Sequence, residues 1–196
     1  LKTLGKARRH LAETADAVRG IKGPTRMQGG LIPYRELSPK ARHLARALRQ
    51  NGRIRIRPGE VRISHLVELQ KFEDVEHAVI QNPAGELVLF KGTKTSSSIP
   101  NDLLREDYRF IAHTHPEDRV PGPPTELEKR LGSVTRDSMA LDLMSKNSPH
   151  IEVVISRSGQ TRFFDNNGII DVPQGRFPQG GPVNDWGFIV PVKGLS

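Results

Sequence analysis

The sequence predicts an α/β fold, and two patterns carry that prediction. In several stretches apolar residues recur at three- and four-residue spacing, the period of a helix with one buried face. Elsewhere, short runs rich in Val, Ile, Leu and Phe stop at Gly, Pro, Asn or Ser, as strands stop at their turns. At 196 residues, 35% of them hydrophobic and 5% aromatic, the chain suits one domain with a modest core plus an appendage.

The first predicted element is a basic amphipathic helix from Lys2 to Arg19, with Leu4, Ala7, Leu11, Ala15 and Val18 on one face. Gly20 to Pro33, rich in Gly and Pro, reads as a linker. A second helix starts at Ser38 as N-cap with Pro39 at its first position, and ends at Asn51-Gly52. Ala41, Leu44, Ala45 and Leu48 share its apolar face. Arg53 to Arg57 alternates Arg with Ile, the pattern of a short edge strand with one charged face. Ser64 can cap a short helix running through Leu69. Val75 to Gln81 and Glu86 to Phe90 flank an Asn-Pro-Ala-Gly turn and form a hairpin. Pro100 to Arg105 is a short helix, and Tyr108 to His113 is a strand stopped by Pro116. Glu117 to Pro124 is a loop, and Glu126 to Lys146 is helical with a break near Gly132. Ile151 to Ser156 and Thr161 to Phe164 form a closing hairpin around Ser158-Gly159. The final stretch reads as extended, with a possible strand at Phe188 to Val190.

Charge divides the chain. Residues 1–58 hold 15 of the 30 basic and 3 of the 22 acidic residues, a net +12; the remainder carries 15 against 19, a net −4. A basic arm is thus joined to a mildly acidic body, and phosphates, an anionic membrane or an acidic protein can attract it. Absence of Cys excludes disulfides, thiolate zinc sites and Cys nucleophiles, so any metal must be held by His and carboxylates. No run approaches the ~20 apolar residues that span a bilayer, and the first residues lack a signal peptide's apolar stretch. The chain opens on Leu, which fits a fragment of something longer.

His113-Thr114-His115-Pro116 is the sharpest signal. Residues i and i+2 of a strand project from one face, so both imidazoles leave the strand end together. Two ligands of one tetrahedral zinc need that arrangement. A catalytic zinc also takes a third protein ligand and keeps a position for water; Asp137, in the helical stretch after the loop, is the candidate. Glu76, at the start of the Val75 strand, is a carboxylate able to take a proton from water and later deliver it to a leaving amine.

In this order the residues resemble the JAMM/MPN metalloprotease family, particularly its compact bacterial versions in polymorphic toxins and phage proteins. The match runs through Glu76-His77-Ala78-Val79-Ile80, Gly85 and Gly92, His113 to Pro116, Asp137, and Glu152 to Ile155 with Gly159. It covers about half of the 196 residues. The resemblance implies a mixed β-sheet flanked by helices (JAMM/MPN, cytidine-deaminase-like), one zinc ion, and hydrolysis of peptide or isopeptide bonds. On this reading residues 1–58 are a basic helical extension, 59–165 the catalytic domain and 166–196 an extended C-terminal tail. His113, His115 and Asp137 hold Zn2+, Glu76 activates water, and Ser133 stabilises the oxyanion. The spacing departs from the family's Ser-x-x-Asp: Ser133 and Asp137 are one residue too far apart. Thr125 with Glu128 keeps the spacing but changes the acid, and Asp142 is a further carboxylate. Asp137 is preferred because its helix leads to the Ile151 strand after the expected interval.

The resemblance further implies an effector domain of a larger bacterial toxin, secreted or delivered into a target-cell cytoplasm, with a protein substrate and a dedicated immunity protein. Two other functions stay open: a nucleic-acid-directed toxin whose basic arm binds phosphates, and a non-catalytic module on the same scaffold. His77 and His150 are structural or orient the ligands; His10 and His43 belong to the basic helices. Trp186 anchors the C-terminal segment on the body, and Lys94 to Ser98 forms a loop.

Overall fold

A computed structural model describes residues 32–94, 99–103, 107–116, 151–165, 168–173 and 176–192. The predicted first helix, the 117–124 loop and the 126–146 helix lie outside them. A 3-10 turn at Tyr34–Glu36 leads into α1, Pro39–Asn51; β1, Arg53–Ile56, follows, then α2, Ile63–Glu73. The remaining strands are β2 His77–Gln81, β3 Leu87–Lys91, β4 Arg109–His115, β5 Glu152–Ser156, β6 Thr161–Asp165 and β7 Gly168–Ile170. Together they form one mixed seven-stranded sheet in the order β1-β3-β2-β4-β5-β6-β7. Only β4 and β5 run parallel; every other neighbouring pair is antiparallel. The fold is therefore mixed α/β, as the sequence pattern predicts. Among the described residues no helix is long and apolar enough to cross a membrane.

Local chemistry accounts for α1. Ser38 Oγ accepts the Ala41 N–H at 3.2 Å, and Pro39 occupies the first turn. At the other end Gly52 adopts φ 70°, and its N–H reaches the Leu48 carbonyl at 2.7 Å. Such a left-handed cap costs Gly little because it has no Cβ. Ala41, Leu44, Ala45 and Leu48 are all buried. They pack with α2 (Leu66, Leu69, Phe72) against one sheet face: Leu87, Leu89, Val79, Ala112, Val153, Ile155 and Phe163. Ile54 and Ile56 of β1 point to this face too, while Arg53 and Arg55 turn to the other. As predicted, β1 is an edge strand.

Helix α2 begins and ends differently from the local reading. Its N-cap is Arg62 instead of Ser64, because the Ile63 N–H donates to the Gly187 carbonyl at 3.0 Å. A distant turn thus satisfies one of the helix's first donors. The helix continues past Leu69 to Glu73, and Asp74 closes it in the left-handed region at φ 51°. Asp74 is held there by ion pairs with Arg157 and, at 2.8 Å, with Lys94. The 100–105 stretch shows a turn at 101–103 in its described part.

The C-terminal segment contributes to the body. β7 extends the sheet, and Val183, Ile189 and Val192 are buried in the helix-side core. Two bridges, Arg62 with Phe188 and Val183 with Ile189, replace the predicted last strand. Gln81 both donates to the Val192 carbonyl, at 3.0 Å, and accepts its N–H, at 2.8 Å. Trp186 does not anchor this segment: it is 78% exposed. It sits at the tip of a turn folded around Asn184 Oδ1, which accepts the N–H groups of both Trp186 and Phe188. The apolar anchoring falls instead to the smaller side chains that the turn points inward.

Two protonation equilibria make this stability pH-dependent. His65 Nδ1 accepts the Arg62 N–H at 3.1 Å, and burial holds the imidazole below its ordinary 6.5. A depressed His pKa means that the unfolded chain binds more protons, so stability is complete above 6.5 and falls as pH drops below it. For Glu73, burial pushes the carboxyl up, but the hydrogen bond with His77 and attraction to His77 and Lys91 outweigh it. The group therefore lies below 4.5, and its contribution is lost only as pH falls below that value. The midpoint of thermal unfolding is expected to drop in two stages between pH 7 and pH 3. The upper stage should shrink in His65→Asn, whose amide oxygen accepts the same N–H without protonating; an unaltered profile in that variant would refute the assignment.

Candidate metal centre

The second sheet face carries the predicted site. β4 holds one residue more than its partner, since Val79 pairs with Ala112 but Ile80 pairs with Phe110. The bulge at Ile111 sends Ile111 and Ala112 to the helix side. Phe110 and His113 thereby reach the same face, although they are three residues apart. Their rings stack with centroids 5.1 Å apart and planes 9° from parallel. Bulges commonly re-aim side chains in this way beside functional sites.

From His113 the strand alternates normally, and the expected juxtaposition is present. His113 Nε2 and His115 Nε2 approach to 2.8 Å, with the rings tilted by 52°. His113 is 1% exposed, whereas His115, at the carboxyl end of β4, is half-buried. Pro116 follows directly. Nitrogens about 2.0–2.1 Å from a tetrahedral zinc lie about 3.3 Å from each other. Opening the pair by about half an ångström would therefore admit such an ion. The two histidines fit as ligands.

Glu76 precedes β2 and is buried, 4% exposed. Its N–H donates to the Thr93 carbonyl and its carbonyl accepts the Gly92 N–H, both at 2.8 Å, so the hairpin ladder continues past the named strand. Ala78 pairs with His113, and the same antiparallel register continued by two residues sets Glu76 opposite His115. His77, the residue between, turns to the helix side. Its N–H donates to Thr114 Oγ1 at 2.9 Å and its Nε2 lies 3.2 Å from Glu73. It is a core histidine of the α2–sheet interface and does not orient the ligands.

One participant has no site role in the sequence-based reading. Glu152, wholly buried at the head of β5, places Oε1 within a short hydrogen bond of His113 Nδ1. A signal for it existed: a Glu opening a β-branched run that is buried throughout must find a partner, because an unpaired buried charge is strongly unfavourable. What the sequence leaves undetermined is which partner.

Ser133 and Asp137 lie outside the described residues, as do Thr125, Glu128, Asp142, His150 and His10. Among the described residues no group of three or more His, Cys, Asp or Glu side chains is set to hold a metal ion. Exposed His43 stands apart on α1. Comparison with protein-family models, curated proteins and solved structures gave no match to this chain.

Proposed function

We propose that the chain is a zinc-dependent hydrolase of peptide or isopeptide bonds, of the JAMM/MPN type, with His113, His115 and Asp137 as its metal ligands. The observation that carries this reading is the 2.8 Å approach of the two Nε2 atoms at the carboxyl end of β4. A strand end beside a parallel neighbour is also where α/β sheets commonly bind ligands. A zinc ion there supplies Lewis acidity to a water and to the scissile carbonyl. Glu76 takes the proton of the attacking water and hands it to the leaving amine. Ser133 donates a hydrogen bond to the developing oxyanion.

The toxin-effector setting, with delivery into a target cell and neutralisation by an immunity protein, rests on the motif order alone. The nucleic-acid reading has less support among the described residues. Arg53 and Arg55 of the edge strand face Asp102 and Glu86 of their own chain, at 2.5 and 3.1 Å.

Metal analysis tests the centre directly. The purified protein is expected to hold one equivalent of zinc, and His113→Ala and His115→Ala are each expected to lose it. Replacing Asp137, Glu128 and Asp142 one at a time then identifies the third ligand. Zinc retained in both histidine variants, or none in the parent protein, defeats the reading. Degradation of nucleic acid in place of peptide cleavage would keep the metal but change the substrate.

A further inference from the structure

We propose that Glu152 is a positioning residue: its carboxylate accepts the Nδ1–H of His113 and fixes that ring in the tautomer whose Nε2 lone pair faces His115. The proposal rests on the metal-centre reading for its purpose, but not for its geometry.

Three constraints converge on the His113 ring. Parallel pairing aligns His113 with Val154, so Glu152 lies on the same face two residues toward the strand's start. For Oε1 to reach Nδ1, the ring must turn Nδ1 toward that start and Nε2 toward the strand's carboxyl end. Phe110, brought to this face by the bulge, stacks flat on the ring and holds its plane. His115 Nε2 meets the other nitrogen at 2.8 Å.

The proton inventory follows from these contacts. A neutral imidazole has one N–H and one lone pair, while an ionised carboxylate only accepts. An ionised Glu152 at Nδ1 requires the proton there, which leaves Nε2 of His113 as an acceptor. In the metal-free protein His115 must then donate its own Nε2–H across the 2.8 Å gap. A metal ion would take the same His113 lone pair without any rearrangement of that ring. His115 would instead have to move its proton from Nε2 to Nδ1 to become a ligand. The two histidines are thus unequal: His113 is preset, and His115 adapts. Carboxylates that hold a ligand histidine in this way orient the ring and raise its basicity.

The test uses the full chain with nitrogen-15-labelled histidine. In the metal-free parent protein, ring NMR is expected to show His113 as the Nδ1–H tautomer and His115 as the Nε2–H tautomer. Adding Zn2+ should convert His115 to the Nδ1–H form and leave His113 unchanged. In Glu152→Met, which keeps the bulk but removes the acceptor, with the backbone amide spectrum confirming the fold, the His113 preference should weaken and zinc affinity fall by about 10- to 100-fold. His113 found protonated at Nε2 in the parent protein overturns the proposal, and this arm needs no variant to fold. Unchanged tautomers and zinc affinity in Glu152→Met also overturn it. If the parent takes up no zinc, the hydrolase reading fails while the metal-free spectrum still decides the role of Glu152.

Discussion

Glu76→Gln is expected to keep its zinc and to lose about 10²–10⁴-fold in turnover, the usual contribution of a positioned general base. That corresponds to about 3–5 kcal/mol of transition-state stabilisation. The amide matches the carboxylate in shape but cannot take the proton of the attacking water. The two hydrogen bonds to Thr93 and Gly92 are made by the Glu76 backbone and survive the substitution. The measurement pairs metal content with cleavage of peptide and isopeptide-linked substrates, in parent and variant alike. Zinc kept with activity lost supports Glu76 as the base. Undiminished cleavage would remove it from the chemistry, whereas loss of zinc would make it a ligand.

Removing residues 166–196 should abolish cooperative unfolding, although the sequence pattern there reads as an extended tail. Three buried side chains, Val183, Ile189 and Val192, leave the core. At about 1.5–3 kcal/mol each, the loss approaches the 5–15 kcal/mol that typically separates folded from unfolded states. Two further penalties add to it. Buried Gln81 loses both of its partners on Val192, and an unsatisfied buried polar group costs about 1–3 kcal/mol. Helix α2 loses the Gly187 carbonyl that receives its first N–H. Thermal denaturation followed by circular dichroism should show a broad transition or none. Trp186→Ala, by contrast, should shift the midpoint very little, since that ring lies in solvent. A sharp transition near the parent temperature in the truncated chain would mean that the segment is only draped on the surface.

Where chemistry acts over a few residues, the sequence alone determined the outcome. Ser38, Pro39 and Gly52 bracket α1 because caps are satisfied by neighbours three or four positions away. The Asn-Pro-Ala-Gly and Ser-Gly turns set their hairpins, and the period of two puts His113 and His115 on one face. Tertiary structure decided the rest. The bulge at Ile111 that stacks Phe110 on His113, the pairing of Glu152 with that histidine, and the start of α2 at Ile63 each depend on strand register or on a partner far along the chain. So does the hydrogen bond from the His77 N–H to Thr114 Oγ1, a partner on another strand. Register is an agreement between segments that local pattern does not record: a slip of one position reverses every side chain on a strand. Packing of the whole sheet selects it.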